Sequence, residues 1–141
     1  MPIYLDNHAT TPMDPVVRDA MLPWLVERFG NPSSKAHSFG RDADDAVARS
    51  RAEIAASIGA RPDQIILTSG ATESINLAIR GIAAVDPRGR SHIVAVATEH
   101  KAVLDSVAAV VAAGGSSTIV PVQADGVVDL AALAAAIRAD T

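Results

Sequence analysis

The sequence has no cysteine in its 141 residues. That absence removes disulfides, thiolate metal sites and a cysteine nucleophile from this chain. Lysine occurs only at Lys35 and Lys101. Aromatic side chains are confined to the first part: Tyr4, Trp24, Phe29 and Phe39. Beyond Phe39 the only rings are His92 and His100, so a planar ligand stacked on that region has those two to choose from. No uninterrupted apolar run approaches the ~20 residues of a membrane span, and no basic, apolar, small-residue opening marks a secretory signal. A cytoplasmic chain with no membrane partner is expected. The net charge is −4, from 16 acidic and 12 basic residues. The basic residues are scattered, so no nucleic-acid footprint is expected. A metal site using His8, His37 or His100 lacks ligand spacing.

What remains is an apolar, helix-rich composition. Hydrophobic residues make up 49% and charged residues 20%. A chain of this length can bury about two-thirds of its unfolded surface, enough for a core. Residues 1–14 read as an extended arm broken by Pro12. Asp14 and Pro15 start a helix with Val17, Met21, Leu22, Leu25 and Phe29 as its apolar stripe. The turn formers of 30–34 follow. A second helix runs from Ser38 to Ile58 and is closed by Gly59. His37 and His92 read as ordinary surface or loop histidines. Strands are expected at 64–67, 92–97 and 118–122, the last either near an edge of the sheet or cut short at Pro121. Helices are expected at 71–84 and 101–113, and after Asp129, with a polar connection at 86–90 and a turn at Asp125-Gly126.

The stretch from Gln64 to Ala78 carries the most chemistry. An apolar run enters the small polar turn Thr68-Ser69-Gly70-Ala71-Thr72, and a helical pattern of Ile75, Ala78, Ile79 and Ile82 follows. Two readings of the turn are open on this stretch alone. In the first, Ser69 or Thr72 serves only as a helix cap. Alternatively, the unpaired amides at the helix start and the helix dipole form an anion site, with hydroxyls of Ser69 and Thr72 as added donors. Neither a Walker pattern nor G-x-G-x-x-G is present, so a nucleotide has little support.

From residue 64 the order is strand, helix, strand, helix, strand, helix. This is the alternation of a mostly parallel α/β sheet, in which ligands bind beyond the carboxyl ends of strands. The 68–72 turn and Thr98-Glu99-His100 both lie at such ends, on one edge of the sheet. That coincidence favours a ligand site.

Four strings then occur in order: Tyr4-Leu5-Asp6-Asn7-His8-Ala9-Thr10-Thr11-Pro12, Phe29-Gly30-Asn31-Pro32-Ser33-Ser34, Thr68-Ser69-Gly70-Ala71-Thr72-Glu73-Ser74 and Thr98-Glu99-His100-Lys101-Ala102-Val103-Leu104-Asp105. Together they resemble the amino-terminal part of cysteine desulfurases of the iron–sulfur-assembly kind, within the class V, fold-type I pyridoxal-phosphate enzymes. The resemblance covers essentially the whole chain and about the first third of a complete member. It implies part of a three-layer α/β/α large domain. Residues 1–63 would be the amino-terminal arm and helices, and 64–141 the first βα units of the cofactor-binding domain. Gly70, Ala71 and Thr72 match the turn that binds the cofactor phosphate. His100 matches the catalytic histidine that stacks on the pyridine ring and assists proton transfer. Asn7 and His8 lie in the family's arm, near the active site and the dimer contact, and take no catalytic role.

The resemblance also implies L-cysteine as substrate, L-alanine and an enzyme persulfide as products, a homodimer, and an iron–sulfur scaffold protein as sulfur acceptor. The family's Schiff-base lysine, the Asp that pairs with the pyridine nitrogen, the cofactor-contacting Asn and the persulfide cysteine match no residue here. Lys101 follows His100, but its flanks match the ring-stacking histidine rather than the lysine motif, and it is expected to be exposed. The chain alone is therefore expected to be inactive. Two other readings stand beside this one: another class V enzyme, such as a selenocysteine lyase or an aminotransferase, and a non-catalytic complementing or scaffold fragment.

Overall fold

The computed structural model describes residues 2–86 and 92–141. The expected connection at 86–90 lies outside them from Pro87 on. The chain divides into two compact units, Met1–Ile66 and Leu67–Thr141.

The first unit holds an extended arm and two helices. Helix α1 spans Pro15–Val26. The Asp14 side chain accepts from the Val16 amide at 2.8 Å, and Pro15 occupies the first turn, where its missing N–H costs nothing. The helix stops before Phe29, short of the expected stripe. The Pro23 carbonyl accepts from both Glu27 and Arg28, at 2.9 and 2.7 Å, and so ends the regular winding. None of its residues is buried, and Val17, Met21 and Leu25 line an open groove with Ser50 of the following helix.

Helix α2 spans Ser38–Ser57. Its C-terminus closes as a Schellman motif: Ala60 N–H donates to Ala55 C=O at 2.8 Å and Gly59 N–H to Ala56 C=O at 3.4 Å. Gly59 supplies the required φ of 67°. The start of α2 is fixed by close approach. A Cβ on Gly40 would stand 1.8 Å from the Ser34 carbonyl oxygen, and one on Gly30 2.0 Å from that of Phe39. Phe29 and Phe39 stack with centroids 6.0 Å apart. His37 is not an ordinary loop residue. Its Nδ1 accepts from the Gly40 amide at 3.2 Å and caps α2.

The second unit is a small α/β assembly. Helix α3 spans Ala71–Val85, strand β1 His92–Val96, helix α4 Lys101–Ala112, strand β2 Ser116–Val120 and helix α5 Leu130–Ala136. The two strands pair in parallel, in register from His92↔Ser116 to Val96↔Val120, with α4 as the crossover. Strand β2 starts two residues earlier than expected and stops before Pro121, which has no N–H to continue the ladder. Gly114 closes α4 with a second Schellman pair, Gly115 N–H to Val110 and Gly114 N–H to Val111, both at 3.0 Å. Asp129 caps α5 through the Ala131 and Ala132 amides. The core of this unit is built from small residues: Ala95, Ala102, Val107, Val110 and Val120 are buried.

Two further expectations fail. Residues 64–67 form no strand. Pro62–Gln64 is a 3-10 turn, and Ile65 is extended at φ −91°, ψ 120°, but no segment among the described residues offers a ladder to it. A strand exists only when paired, and composition alone cannot supply the partner. His92, expected at the surface, is 4% exposed. Its Nδ1 and Nε2 each lie 2.8 Å from a threonine hydroxyl, those of Thr141 and Thr118. The segment around it is tied down further: His92 N–H donates to Asp140 C=O, and Arg138 reaches both Asp140 and the Ser116 hydroxyl. No helix among the described residues is long and apolar enough to cross a membrane.

Candidate functional site

The turn at 68–72 delivers an extended chain into α3. Gly70 is the N-cap, nearly fully extended at φ 158°, ψ −175°, and no side chain caps the helix. Ser69 and Thr72 therefore do not play the capping role open to them on sequence. The first amide to bond back is that of Ser74, to the Gly70 carbonyl at 3.1 Å. The amides of Ala71, Thr72 and Glu73 are left as the positive end of the helix.

The hydroxyls around the turn are unequal. Ser69 donates both its amide and its Oγ to Glu73 Oε2, each at 2.6 Å. Thr68 Oγ1 and Ser74 Oγ stand 2.7 Å apart, and both reach the Gly70 carbonyl. The Thr72 hydroxyl makes no hydrogen bond among the described residues. Ser69 thus does not add a free donor, contrary to the expectation, while Thr72 does. A Cβ placed on Gly70 would meet no atom within 4 Å, and residues 69–74 are exposed. This set of outward amides, one free hydroxyl and open space fits a phosphate. The Ser69 hydroxyl and amide hold the Glu73 carboxyl below its ordinary range.

His100 caps α4. Its Nδ1 accepts from the Ala102 amide at 3.1 Å, and the residue is exposed. A neutral ring that accepts at Nδ1 carries its proton on Nε2, the nitrogen turned away from the helix. Lys101, next in sequence, lies over the Asp105 carboxylate at 2.6 Å, an exposed i,i+4 pair. It is occupied with its own helix, as expected of a surface residue.

The packing of the second unit brings the two ends together. The C-terminal halves of α3 (Arg80, Ala83, Ala84) and α4 (Ala109, Val110, Ala113) line one cavity of about 400 Å³. The packed helices therefore run in the same direction. The start of β1 (His92, Ile93) faces the last turns of α3 (Ile79, Ile82, Ala83). The end of β1, the His100 cap and the Gly70–Thr72 turn consequently share one end of this unit. Asn7 and His8 belong to the other unit, and His92 lies at the opposite end of β1.

Three roles were not read from the sequence: that of Glu73 at the turn, and the capping by His37 and His100. Glu73 is at the third helical position, where an acidic side chain can fold back over the helix start. That position was the available signal. The capping roles of His37 and His100 had none, because histidine is not among the favoured N-cap residues.

A NifS-like protein of known structure superposes with a TM-score of 0.87 at 35% identity, covering 100% of this chain and 38% of that one. DndA from Streptomyces lividans gives 0.79 at 38% identity, over 99% and 39%. In sequence the chain is 50% identical over 140 residues to a cysteine desulfurase of Rattus norvegicus, covering 99% of this chain and 31% of that protein. It is 51% identical over 140 residues to cysteine desulfurase IscS of Neisseria meningitidis, covering 99% and 35%. The chain thus spans about a third of the length of the curated relatives it matches. The model of the family described as Aminotransferase class-V matches residues 3–141, and the chain belongs to that family.

Proposed function

We propose that this chain is the amino-terminal segment of a pyridoxal 5′-phosphate-dependent cysteine desulfurase, and that it contributes one end of the cofactor site. The observation that carries the reading is the α3 start. Outward amides at Ala71 and Thr72 and the free Thr72 hydroxyl form a phosphate-sized donor set, in a chain about half identical to cysteine desulfurases.

When bound, the cofactor acts as an electron sink that labilises the C–S bond of L-cysteine. The residues of this chain hold and orient. Gly70, Ala71 and Thr72 would grip the phosphate, with the helix dipole favouring its charge. His100, fixed by its bond to the Ala102 amide, would present its ring and its Nε2 proton to the pyridine face and assist proton transfer there. Neither lysine suits covalent attachment of the cofactor: Lys101 is paired with Asp105, and Lys35 with Asp44 at 3.0 Å in the first unit. With no cysteine, this chain cannot carry a persulfide. Alanine and persulfide formation, transfer to an iron–sulfur scaffold, a homodimeric assembly and a cytoplasmic setting belong to the complete enzyme in this reading.

The test is release of alanine and sulfide from L-cysteine with added cofactor. The lone chain should show none. Adding a polypeptide equivalent to the remaining two-thirds of a relative, bearing the lysine and cysteine, should restore turnover. Turnover by the lone chain contradicts the reading, as does a stable complex without activity.

A further inference from the structure

We propose that Glu73 is the positioning residue of the phosphate turn, an assignment that rests on the phosphate reading above. Its Oε2 accepts from the Ser69 amide and hydroxyl at 2.6 Å each, a contact that spans four residues and straddles Gly70. A second clasp spans six residues, where the Thr68 and Ser74 hydroxyls meet 2.7 Å apart and one of them donates on to the Gly70 carbonyl. Between the two clasps lie Gly70, Ala71 and Thr72. Glycine has the largest backbone freedom to lose, so a turn hinged on Gly70 needs such anchors to present its amides in one direction.

The Glu73 contact also selects which hydroxyl is offered. Both Ser69 donors are spent on the carboxylate, while the Thr72 hydroxyl is not engaged. An anion at the helix start therefore meets the Ala71 and Thr72 amides and the Thr72 hydroxyl, with Ser69 withheld.

An opposing effect exists, because a carboxylate near a bound phosphate repels it. Glu73 is exposed, so water and salt screen the repulsion. Loss of the clasp releases the backbone of Ser69 and Gly70, and that ordering must then be recovered at each binding event. The geometry points to ordering as the larger effect.

The experiment is a titration of the ¹⁵N-labelled full chain with inorganic phosphate, followed at the Ala71 and Thr72 amides. Wild type is compared with Glu73→Ala and Glu73→Gln. Amide exchange at Ser69 is read in parallel, and the α4 amides report whether the fold is kept. Glu73→Ala should weaken phosphate binding about three- to tenfold and speed Ser69 exchange about tenfold, the loss of a charge-assisted hydrogen bond. Glu73→Gln keeps a carbonyl acceptor and should fall between; it carries the comparison if Glu73→Ala does not fold. Phosphate binding as tight as wild type or tighter in the variants overturns the proposal and leaves the phosphate reading standing. No response at Ala71 and Thr72 in wild type overturns both.

Discussion

The Nδ1 atom of His100 accepts a hydrogen bond from the Ala102 amide at 3.1 Å. One side chain thus starts α4 and displays a ring at the end of the unit where α3 also begins. The two duties can be separated. His100→Asn keeps a capping acceptor and removes the ring, whereas His100→Phe keeps a ring and removes the cap. Thermal unfolding should show His100→Phe destabilised by about 1 kcal/mol and His100→Asn near wild type. In the reassembled enzyme the order should reverse for cofactor binding. Equal loss of stability in both variants would show that the cap contributes nothing.

The Ser69–Glu73 contact has a pH signature. The Glu73 carboxyl is held below its ordinary value of 4.5, chiefly by the Ser69 hydroxyl and then by the Ser69 amide. A carboxylate depressed on folding contributes stability above its unfolded pKa and loses that contribution as pH falls through the folded one. The clasp should therefore be intact at neutral pH and open only below the ordinary carboxylate range. An NMR titration of the Glu73 side-chain carboxyl carbon, with the Ser69 amide as reporter, should give one midpoint below 4.5. A midpoint at or above that value would contradict the contact.

Two glycines should respond in opposite directions to alanine. A Cβ at Gly40 would collide with the Ser34 and Asn31 carbonyl oxygens, at 1.8 and 2.9 Å. Backbone must move, and Gly40→Ala should cost about 3 kcal/mol. Gly81 lies inside α3, and a Cβ there meets nothing within 4 Å. Gly81→Ala should add roughly 0.5–1 kcal/mol by removing glycine's freedom in the unfolded chain. Urea midpoints for the two variants check both signs.

Among the described residues, the buried His92 ring is satisfied by two hydroxyls from distant parts of the chain. Thr118→Val keeps the shape and strands Nε2 without a partner. The cost should be roughly 1–3 kcal/mol in urea unfolding, because a buried polar atom then loses a hydrogen-bond partner. A neutral Thr118→Val would mean that water replaces the hydroxyl.

What the sequence made legible was local chemistry. Asp14 and Asp129 cap their helices, and Gly59 and Gly114 take the positive φ at helix ends, because each effect is decided within a few residues. Parallel pairing of 92–96 with 116–120 followed from the βαβ order. The failures are non-local. Ile65 has the composition of a strand residue, but pairing depends on a neighbour that its own sequence does not name. His92 depends on Thr118 and Thr141, 26 and 49 residues away. The motif strings single out Gly70, Ala71, Thr72 and His100 as candidates, and the structure puts the first three at the start of α3 and His100 at the start of α4. The partition of hydroxyls between Glu73 and the ligand face was not legible, since it depends on where each oxygen falls once the turn is folded.

The central claim is that the α3 start holds a phosphate and His100 the adjoining ring. The most direct measurement titrates the ¹⁵N-labelled chain with pyridoxal 5′-phosphate and, separately, with pyridoxal, which keeps the ring and aldehyde and lacks the phosphate. The account predicts that the Ala71 and Thr72 amides and the His100 ring move with pyridoxal 5′-phosphate, and that the two amides stay in place with pyridoxal. Equal shifts with both compounds, or shifts centred on Lys35 and Lys101 with Ala71 and Thr72 unmoved, would contradict it.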